Sequence, residues 1–437
     1  MSFAVLPPEL LGDIFTHATE PGDLYRIALV SKLWYHEAMP LLFEAVCIDA
    51  GDSDTRLEQE VLRGVTFGTW SMELDDFKAK IDKDDKNHDG LMQALRRDPH
   101  VSQWIKRLGI HLYHPDPPNS KDTFVADTVQ IVRASQNLQF LELRNFYVEG
   151  DHDESQIRDI LSHVSPSVVE LDVSRTSLST ETVLHLLCRL PQLKVLLLGG
   201  GSSIGEWKLR SMTCEIPHLV HLEKLALTFP FRGKAFLRKI LSHTLSLTRL
   251  QCDPLAVQAL QFPLLSTVKD LVISGNFATS LVLYTPRQFV RDLVATLQFC
   301  TTLKTFALVS EENKKEEEHA ETEEEDDDDD SGLAETSKLL EELNFLQYLP
   351  RTVWGLGLFN LPLSPEYVLS FLHHEASSEV KKVCLSCLNE KWFEGDEDER
   401  EAKEDEIEEV CHVKAIDIEW YKEGKIVVSR IERKGGQ

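Results

Sequence analysis

The chain has 437 residues, of which 42% are hydrophobic, and its 46 Lys and Arg against 73 Asp and Glu give a formal net charge of −27. Such a charge repels nucleic acids and anionic membrane surfaces, which excludes both as general targets. The apolar content is enough for a large core, and the length suits either two domains or an open array of repeats.

The first helices are predicted within residues 6–46. Apolar residues recur there at the three- and four-residue spacing of a helical stripe, at Leu10, Leu11, Ile14, Phe15 and Ala18. Pro21-Gly22 ends this helix, and Asp23 and Ser31 are suitable caps for a second and a third. Three helices in about forty residues bury too little apolar surface to be stable alone. This segment must therefore pack against the rest of the chain or against another protein.

The order and spacing of five short motifs in this segment resemble the F-box, the module by which substrate receptors attach to the linker subunit of cullin–RING ubiquitin ligases. The motifs are Leu6-Pro7, Glu9-Leu10, Ile14-Phe15, Asp23-Leu24 and Val30-Ser31-Lys32-x-Trp34. The residues that the resemblance places on the linker-binding face, or next to it, are Leu6, Pro7, Leu10, Ile14, Leu24, Val30, Lys32 and Trp34. The alternative is that they form the core of a helical cap on the next domain, and an apolar stripe can serve both purposes.

A repeating motif follows the predicted F-box (1–48) and a connector (49–100). The pattern is L-x-x-L-x-L with aliphatic substitutes. Its first positions are Ile105, Leu138, Val168, Leu193, Leu222, Leu247, Val268, Leu303, Val353, Val380 and Val413. Segments with helical spacing lie between the copies, so strands and helices alternate.

This alternation resembles the leucine-rich repeat over residues 101–421, and residues 422–437 are left as a C-terminal tail. The resemblance implies an irregular α/β solenoid with a parallel sheet on its concave face and helices outside. The third, fifth and seventh motif positions then point outward, where solenoids usually bind. The predicted target-binding residues are Phe140, Arg144, Glu170, Asp172, Leu197, Lys224, Arg249 and Phe359.

Two segments carry most of the negative charge. Residues 311–332 hold fourteen acids and two lysines, and residues 394–409 hold eleven acids, one Arg and one Lys. We interpret the first as a disordered insertion between repeats and the second as an acidic loop, because self-repulsion opposes collapse. The Lys and Arg of the second segment could also support a short exposed helix. Either segment could also bind a basic partner.

The cysteines and the N-terminus indicate the compartment. The eight cysteines are scattered, the N-terminus lacks the pattern of a secretory signal, and no stretch is long and apolar enough to span a bilayer. We therefore expect an intracellular protein, in the cytoplasm or nucleus, with reduced cysteines. Cys384 and Cys387 form a C-x-x-C that could be half a zinc site or a redox pair, but the other ligands are missing.

Known catalytic patterns are missing from the sequence. It contains no phosphate-binding glycine loop, no H-E-x-x-H and no G-x-S-x-G, so we expect no catalytic residue, no metal and no cofactor. An F-box followed by leucine-rich repeats resembles the substrate receptors of SCF ubiquitin ligases. The expected partners are the linker subunit, the cullin and a protein target. The alternative is a leucine-rich scaffold without a ligase role, whose acidic loops bind basic proteins such as histones.

Overall fold

The computed structural model describes fifteen stretches of the chain. They are residues 10–11, 14–15, 26–49, 99–111, 118–144, 151–176, 178–199, 218–228, 234–260, 263–275, 277, 284–310, 331–386, 397–422 and 425–428. These residues divide into two compact units, with a boundary between His221 and Leu222. We call them the amino-terminal unit and the carboxy-terminal unit.

The amino-terminal unit contains strands that follow one another in the sheet in the order of the sequence. Its elements are α1 (Lys32–Leu42), β1 (Ala45–Asp49), a 3₁₀ helix (Pro99–Trp104), β2 (Arg107–His111), α2 (Pro118–Ala134), β3 (Phe140–Arg144), α3 (Asp151–Ser162), β4 (Glu170–Arg175), α4 (Thr180–Arg189) and β5 (Val195–Gly199). Each strand from β1 to β5 pairs in parallel with the next. Leu10, Leu11, Ile14, Phe15 and residues 26–28 are also helical.

The carboxy-terminal unit repeats the same arrangement. Its helices are α5 (Lys234–Ser242), α6 (Pro286–Phe299), α7 (Ser331–Glu342), α8 (Pro365–His373) and α9 (Glu397–Val413). Its strands are β6 (Lys224–Thr228), β7 (Arg249–Cys252), β8 (Asp270–Gly275), β9 (Thr305–Ser310), β10 (Gly355–Phe359), β11 (Lys382–Ser386), β12 (Asp417–Lys422) and β13 (Lys425–Val428). Strands β6 to β12 pair in parallel, and β13 is antiparallel to β12.

The fourth and sixth motif positions explain the packing in both units. Leu108 and Ile110 in β2, like Leu271 and Ile273 in β8, are fully buried. Side chains alternate along a strand, so these two positions share one face of the sheet. The prediction of a mixed α/β fold with parallel strands and alternating helices in a solenoid-like arrangement is confirmed.

A row of side chains outside the predicted motif joins neighbouring repeats. The residue just before the first motif position is often Ser or Thr, and its hydroxyl donates to the backbone of the preceding repeat. The bonds are Ser167 Oγ to Leu138 O (2.8 Å), Thr267 Oγ1 to Leu247 O (2.7 Å), Thr302 Oγ1 to Val268 O (3.1 Å) and Thr352 Oγ1 to Leu303 O (2.6 Å). They satisfy carbonyls at the turns into the strands, where no ladder partner is available.

The eleventh copy of the motif is displaced from its predicted position. Ile418, and not Ile416, is the residue opposite Val383 in the neighbouring strand. Val413 ends α9 and is exposed, where a buried first position was predicted. The displacement is an even number of residues, so Asp417 and Glu419 still lie on the sheet face predicted for the fifth and seventh motif positions.

Three further differences concern element boundaries. The predicted F-box ends within β1, and β13 forms in the predicted tail. The predicted acidic loop 394–409 is mostly α9, since Ile407 and Cys411 bury one side of it and Lys403 contacts two glutamates. Ser331 begins α7 within the predicted insertion, whose residues 311–330 lie outside the described ones.

Candidate functional site

The described part of the N-terminal segment has a small apolar core. Leu11, Phe15, Ala28, Ala38 and Met39 are buried and form one cluster. Trp34 packs against this cluster, with its ring centroid 5.3 Å from that of Phe15. The turn into α1 is capped by Ser31, whose Oγ accepts a hydrogen bond from Trp34 N at 3.2 Å. We call residues 10–42 the helical module.

The helical module also carries exposed apolar side chains. Leu10 and Ile14 are 49% and 51% exposed, and Leu29 and Val30 are 68% and 61% exposed. Leu10 and Ile14 are four residues apart on helical backbone, so they lie on the same side of the helix. Exposed apolar residues beside a packed core are typical of a protein-binding surface.

The residues predicted to bind a linker subunit are divided between core and surface. Leu10, Ile14, Val30 and Lys32 are exposed, whereas Trp34 is partly buried against the core. Leu6, Pro7 and Leu24 lie outside the described residues. Three exposed side chains close to Val30 in the sequence were not predicted to bind the linker, namely Leu29, Leu33 and Tyr35. Leu29 directly precedes Val30, and Leu33 and Tyr35 lie at the start of α1. Their proximity to Val30 in the sequence could have identified them as part of the same surface.

The helical module is joined to the sheet by backbone and side chains. Glu44 O accepts hydrogen bonds from Lys106 N and Arg107 N, both at 2.9 Å, and Lys106 Nζ lies 3.1 Å from Glu44 Oε1. The rings of Phe43 and Trp104 have centroids 6.4 Å apart. The module is therefore attached to the first strands of the amino-terminal unit through fixed contacts.

The sheet face predicted to bind a target is more closed than expected in the amino-terminal unit. Phe140 was predicted to be exposed, and this is wrong, because it is 3% exposed with the Arg107 guanidinium carbon 4.9 Å from its ring centroid. Asp172 is also buried, and its Oδ1 accepts from Ser174 N at 2.9 Å. Glu170 and Leu197 are half-buried, and the side chain of Arg144 lies outside the described residues.

The equivalent face of the carboxy-terminal unit is occupied by internal pairs. Arg249 Nε lies 2.9 Å from Asp270 Oδ2, and Thr305 Oγ1 donates to Asp270 Oδ1 at 2.6 Å. Farther along, Lys382 Nζ lies 2.7 Å from Glu419 Oε1. Lys224 is half-buried.

Phe359 was also predicted to be exposed, and it is 1% exposed. The motif predicted the correct face of the sheet for Phe359, but side chains of adjacent strands lie close enough to cover one another. In the register Phe359 is opposite Val309 on the neighbouring strand.

The buried cysteines Cys384 and Cys300 are suited to packing and not to reaction. Burial raises the pKa of Cys384 to about 12, with a further contribution from Glu419, and burial raises the pKa of Cys300 to about 12. Both thiols are protonated near neutral pH, which makes them poor nucleophiles and poor metal ligands. Cys387 lies outside the described residues. Among the residues that the structure covers, no three His, Cys, Asp or Glu side chains form a group that could hold a metal.

Within the described ranges, no helix combines the length and the apolar character that a membrane span requires.

Comparison with known families identifies the N-terminal segment. Residues 3–49 match the model of the F-box-like domain, which covers the helical module and β1. F-box domains typically bind the linker subunit of SCF complexes, which indicates a role as an SCF substrate adaptor at the general level. No curated protein matches the chain.

Proposed function

We propose that this protein is a substrate-recognition adaptor of an SCF-type ubiquitin ligase. The helical module binds the linker subunit, which connects the chain to the cullin, and the parallel-sheet units hold a protein target. We also propose that these units are an irregular leucine-rich-repeat solenoid, with the sheet on the concave face. The chain itself performs no chemistry.

One observation carries the proposal. The F-box-like segment has its own core, and it still exposes Leu10, Ile14 and Val30. A helical cap that served only to close the sheet would turn its large apolar side chains toward the sheet. These side chains face solvent instead, where a partner can cover them.

The proposed mechanism is proximity. A target held in the same assembly as the ubiquitin-charged enzyme presents its lysines at a high effective concentration. The β1–β2 pairing and the Glu44 bonds support this, because they couple the helical module to the first strands without a free linker. A target bound to these first strands is thereby held in a defined orientation relative to the linker subunit.

Capture of purified linker subunit by the full chain tests the proposal. We expect Leu10→Glu with Val30→Glu to weaken capture at least about a hundredfold, because two apolar contacts are replaced by buried unpaired charges. Leu245→Glu is the matched control, since Leu245 is 64% exposed and lies in the carboxy-terminal unit. This control should bind the linker as the parent chain does.

The scaffold alternative predicts a different result. Helix α9 exposes acids along its length, among them Glu397, Asp398, Glu401 and Asp405, and could attract a basic protein. Such binding would be lost in high salt and would be insensitive to Leu10→Glu with Val30→Glu. Capture that survives the double substitution but is lost in high salt would refute the adaptor proposal in favour of the scaffold.

A further inference from the structure

The exposed apolar side chains of the carboxy-terminal unit share one location. Its large exposed residues, within the ranges described, are Leu245, Phe299, Leu343, Tyr348, Trp354 and Val413. Each lies at the end of a helix or in the short connection from that helix to the next strand. Parallel strands start at the same edge of a sheet. We call this edge, with its preceding turns, the amino edge.

Lysines accompany these apolar residues on the amino edge. Lys269, Lys304, Trp354 and Lys381 precede β8, β9, β10 and β11, and all four are exposed. Lys304 N donates to Lys269 O, Trp354 N to Lys304 O and Lys381 N to Trp354 O. These bonds place the four residues in one row, about 4.8 Å apart from strand to strand. We call them the lysine–tryptophan row.

The row has a local charge opposite to that of the chain. Arg351 adds a fourth cation in the turn before Trp354, and the connection before Lys381 carries two exposed acids, Glu375 and Glu379. No ion pair among the described residues involves Lys269, Lys304, Arg351 or Lys381. By contrast, Arg249 and Lys382 on the sheet face each contact a carboxylate.

Adjacent lysines that form no ion pair oppose folding. Like charges on neighbouring strands repel, and an exposed tryptophan adds apolar surface in contact with water. Among the described residues, no ion pair offsets the repulsion between the lysines. A partner with negative charge and apolar side chains would remove both costs, since aromatic and cationic side chains together are typical of binding surfaces.

We propose that the amino edge of the carboxy-terminal unit binds an acidic peptide segment of a partner protein, with carboxylates on the lysines and an apolar side chain against Trp354. In the adaptor function proposed above, this segment would belong to the target. It would then dock on the edge of the sheet and not on the sheet face, where Phe359 is buried and Arg249 is paired.

A peptide fits better than a nucleic acid. Basic and aromatic residues also bind single strands, but a nucleic acid carries a charge at every nucleotide and would be repelled by a chain of net charge −27. A peptide with a few acids suffers much less from that repulsion and can still use Trp354.

Fluorescence anisotropy with the full chain tests the proposal. The probe is a labelled peptide in which glutamate alternates with leucine and tyrosine. We expect Lys269→Glu with Lys304→Glu to weaken binding at least about tenfold, because two attractions become repulsions. Trp354→Ala should also weaken binding about tenfold and leave its salt dependence unchanged, since no charge is altered.

Matched variants separate local from general charge effects. Arg291→Glu with Lys338→Glu makes the same charge change on exposed positions of α6 and α7, and it should bind the probe as the parent chain does. Equal losses in both double variants would overturn the proposal. Equal binding of a peptide with serine in place of leucine and tyrosine would also overturn it, as would tighter binding of a single-stranded oligonucleotide.

Two further results identify the occupant and separate this inference from the ligase role. Binding of the probe only after removal of residues 311–330 would assign the edge to that acidic segment of the chain itself and overturn the proposal. The Lys269→Glu and Lys304→Glu chain should still capture the linker subunit. Loss of probe binding with intact capture supports the inference, whereas failed capture by the parent chain refutes the proposed function alone.

Discussion

The helical module and the parallel-sheet units differ in the exposure of their large apolar side chains. The module leaves Leu10 and Val30 about half exposed or more, while the outward face of the sheet buries Phe140 and Phe359. A repeat unit has a neighbour on each side whose side chains cover its own. Among the described residues, the module is joined to a neighbour of this kind only toward β1 and β2. In the function proposed above, the linker subunit covers the exposed apolar side chains of the module.

The largest expected effect comes from a substitution that creates a cavity in the core of a sheet unit. Phe289 in α6 is fully buried, with ring centroids 5.4 Å from Phe277 and 6.0 Å from Tyr284. We expect Phe289→Ala to lower the free energy of unfolding by about 3–5 kcal/mol, because burial is lost and a cavity remains. Denaturant titration of the full chain measures this change.

Phe299, ten residues farther along α6 and partly exposed, is the matched control. Phe299→Ala should change the free energy of unfolding by less than about 0.5 kcal/mol, as is usual for surface substitutions. Similar losses for the two variants would mean that the sheet units do not close their core as described.

The polar row between repeats gives a smaller expected effect. Thr302 Oγ1 lies 2.6 Å from Ser266 O and 3.1 Å from Val268 O. Thr302→Val keeps the shape of the side chain and removes the donor, so we expect a loss of about 0.5–1 kcal/mol in unfolding free energy. Thr302→Ser keeps the hydroxyl and should lose less. A valine variant as stable as the parent would show that water replaces the bond without cost.

Much of the fold could be predicted because each strand repeats one pattern. Leu108 and Ile110 occupy the fourth and sixth positions of β2, and ten copies of the pattern fall on the strands in the predicted register. The last copy was displaced because Ile416 and Ile418 satisfy the pattern as well as Ile418 and Trp420 do. The difference arises in α9, which extends to Val413 and shifts the start of β12.

The candidate sites were less predictable, because the motif specifies direction and not exposure. It placed Phe140 and Phe359 on the correct side of the sheet, yet their burial depends on neighbouring strands. Trp354 and Lys304 stand at the second motif position, which the alternation rule leaves out. Their alignment in one row follows from the pairing of β9 with β10, which no single repeat reveals.

The smallest expected effect on stability is that of Leu10→Ala in the helical module, and the adjacent Leu11 provides the comparison. Leu10 is about half exposed and Leu11 is buried in the cluster with Phe15. Leu10→Ala should change the free energy of unfolding by less than about 0.5 kcal/mol. Leu11→Ala should lower it by about 2–3 kcal/mol, since it removes core volume. Thermal and denaturant unfolding of both variants, beside linker capture, separate the two roles. Equal losses would place Leu10 in the core and remove it from the surface proposed to bind the linker subunit.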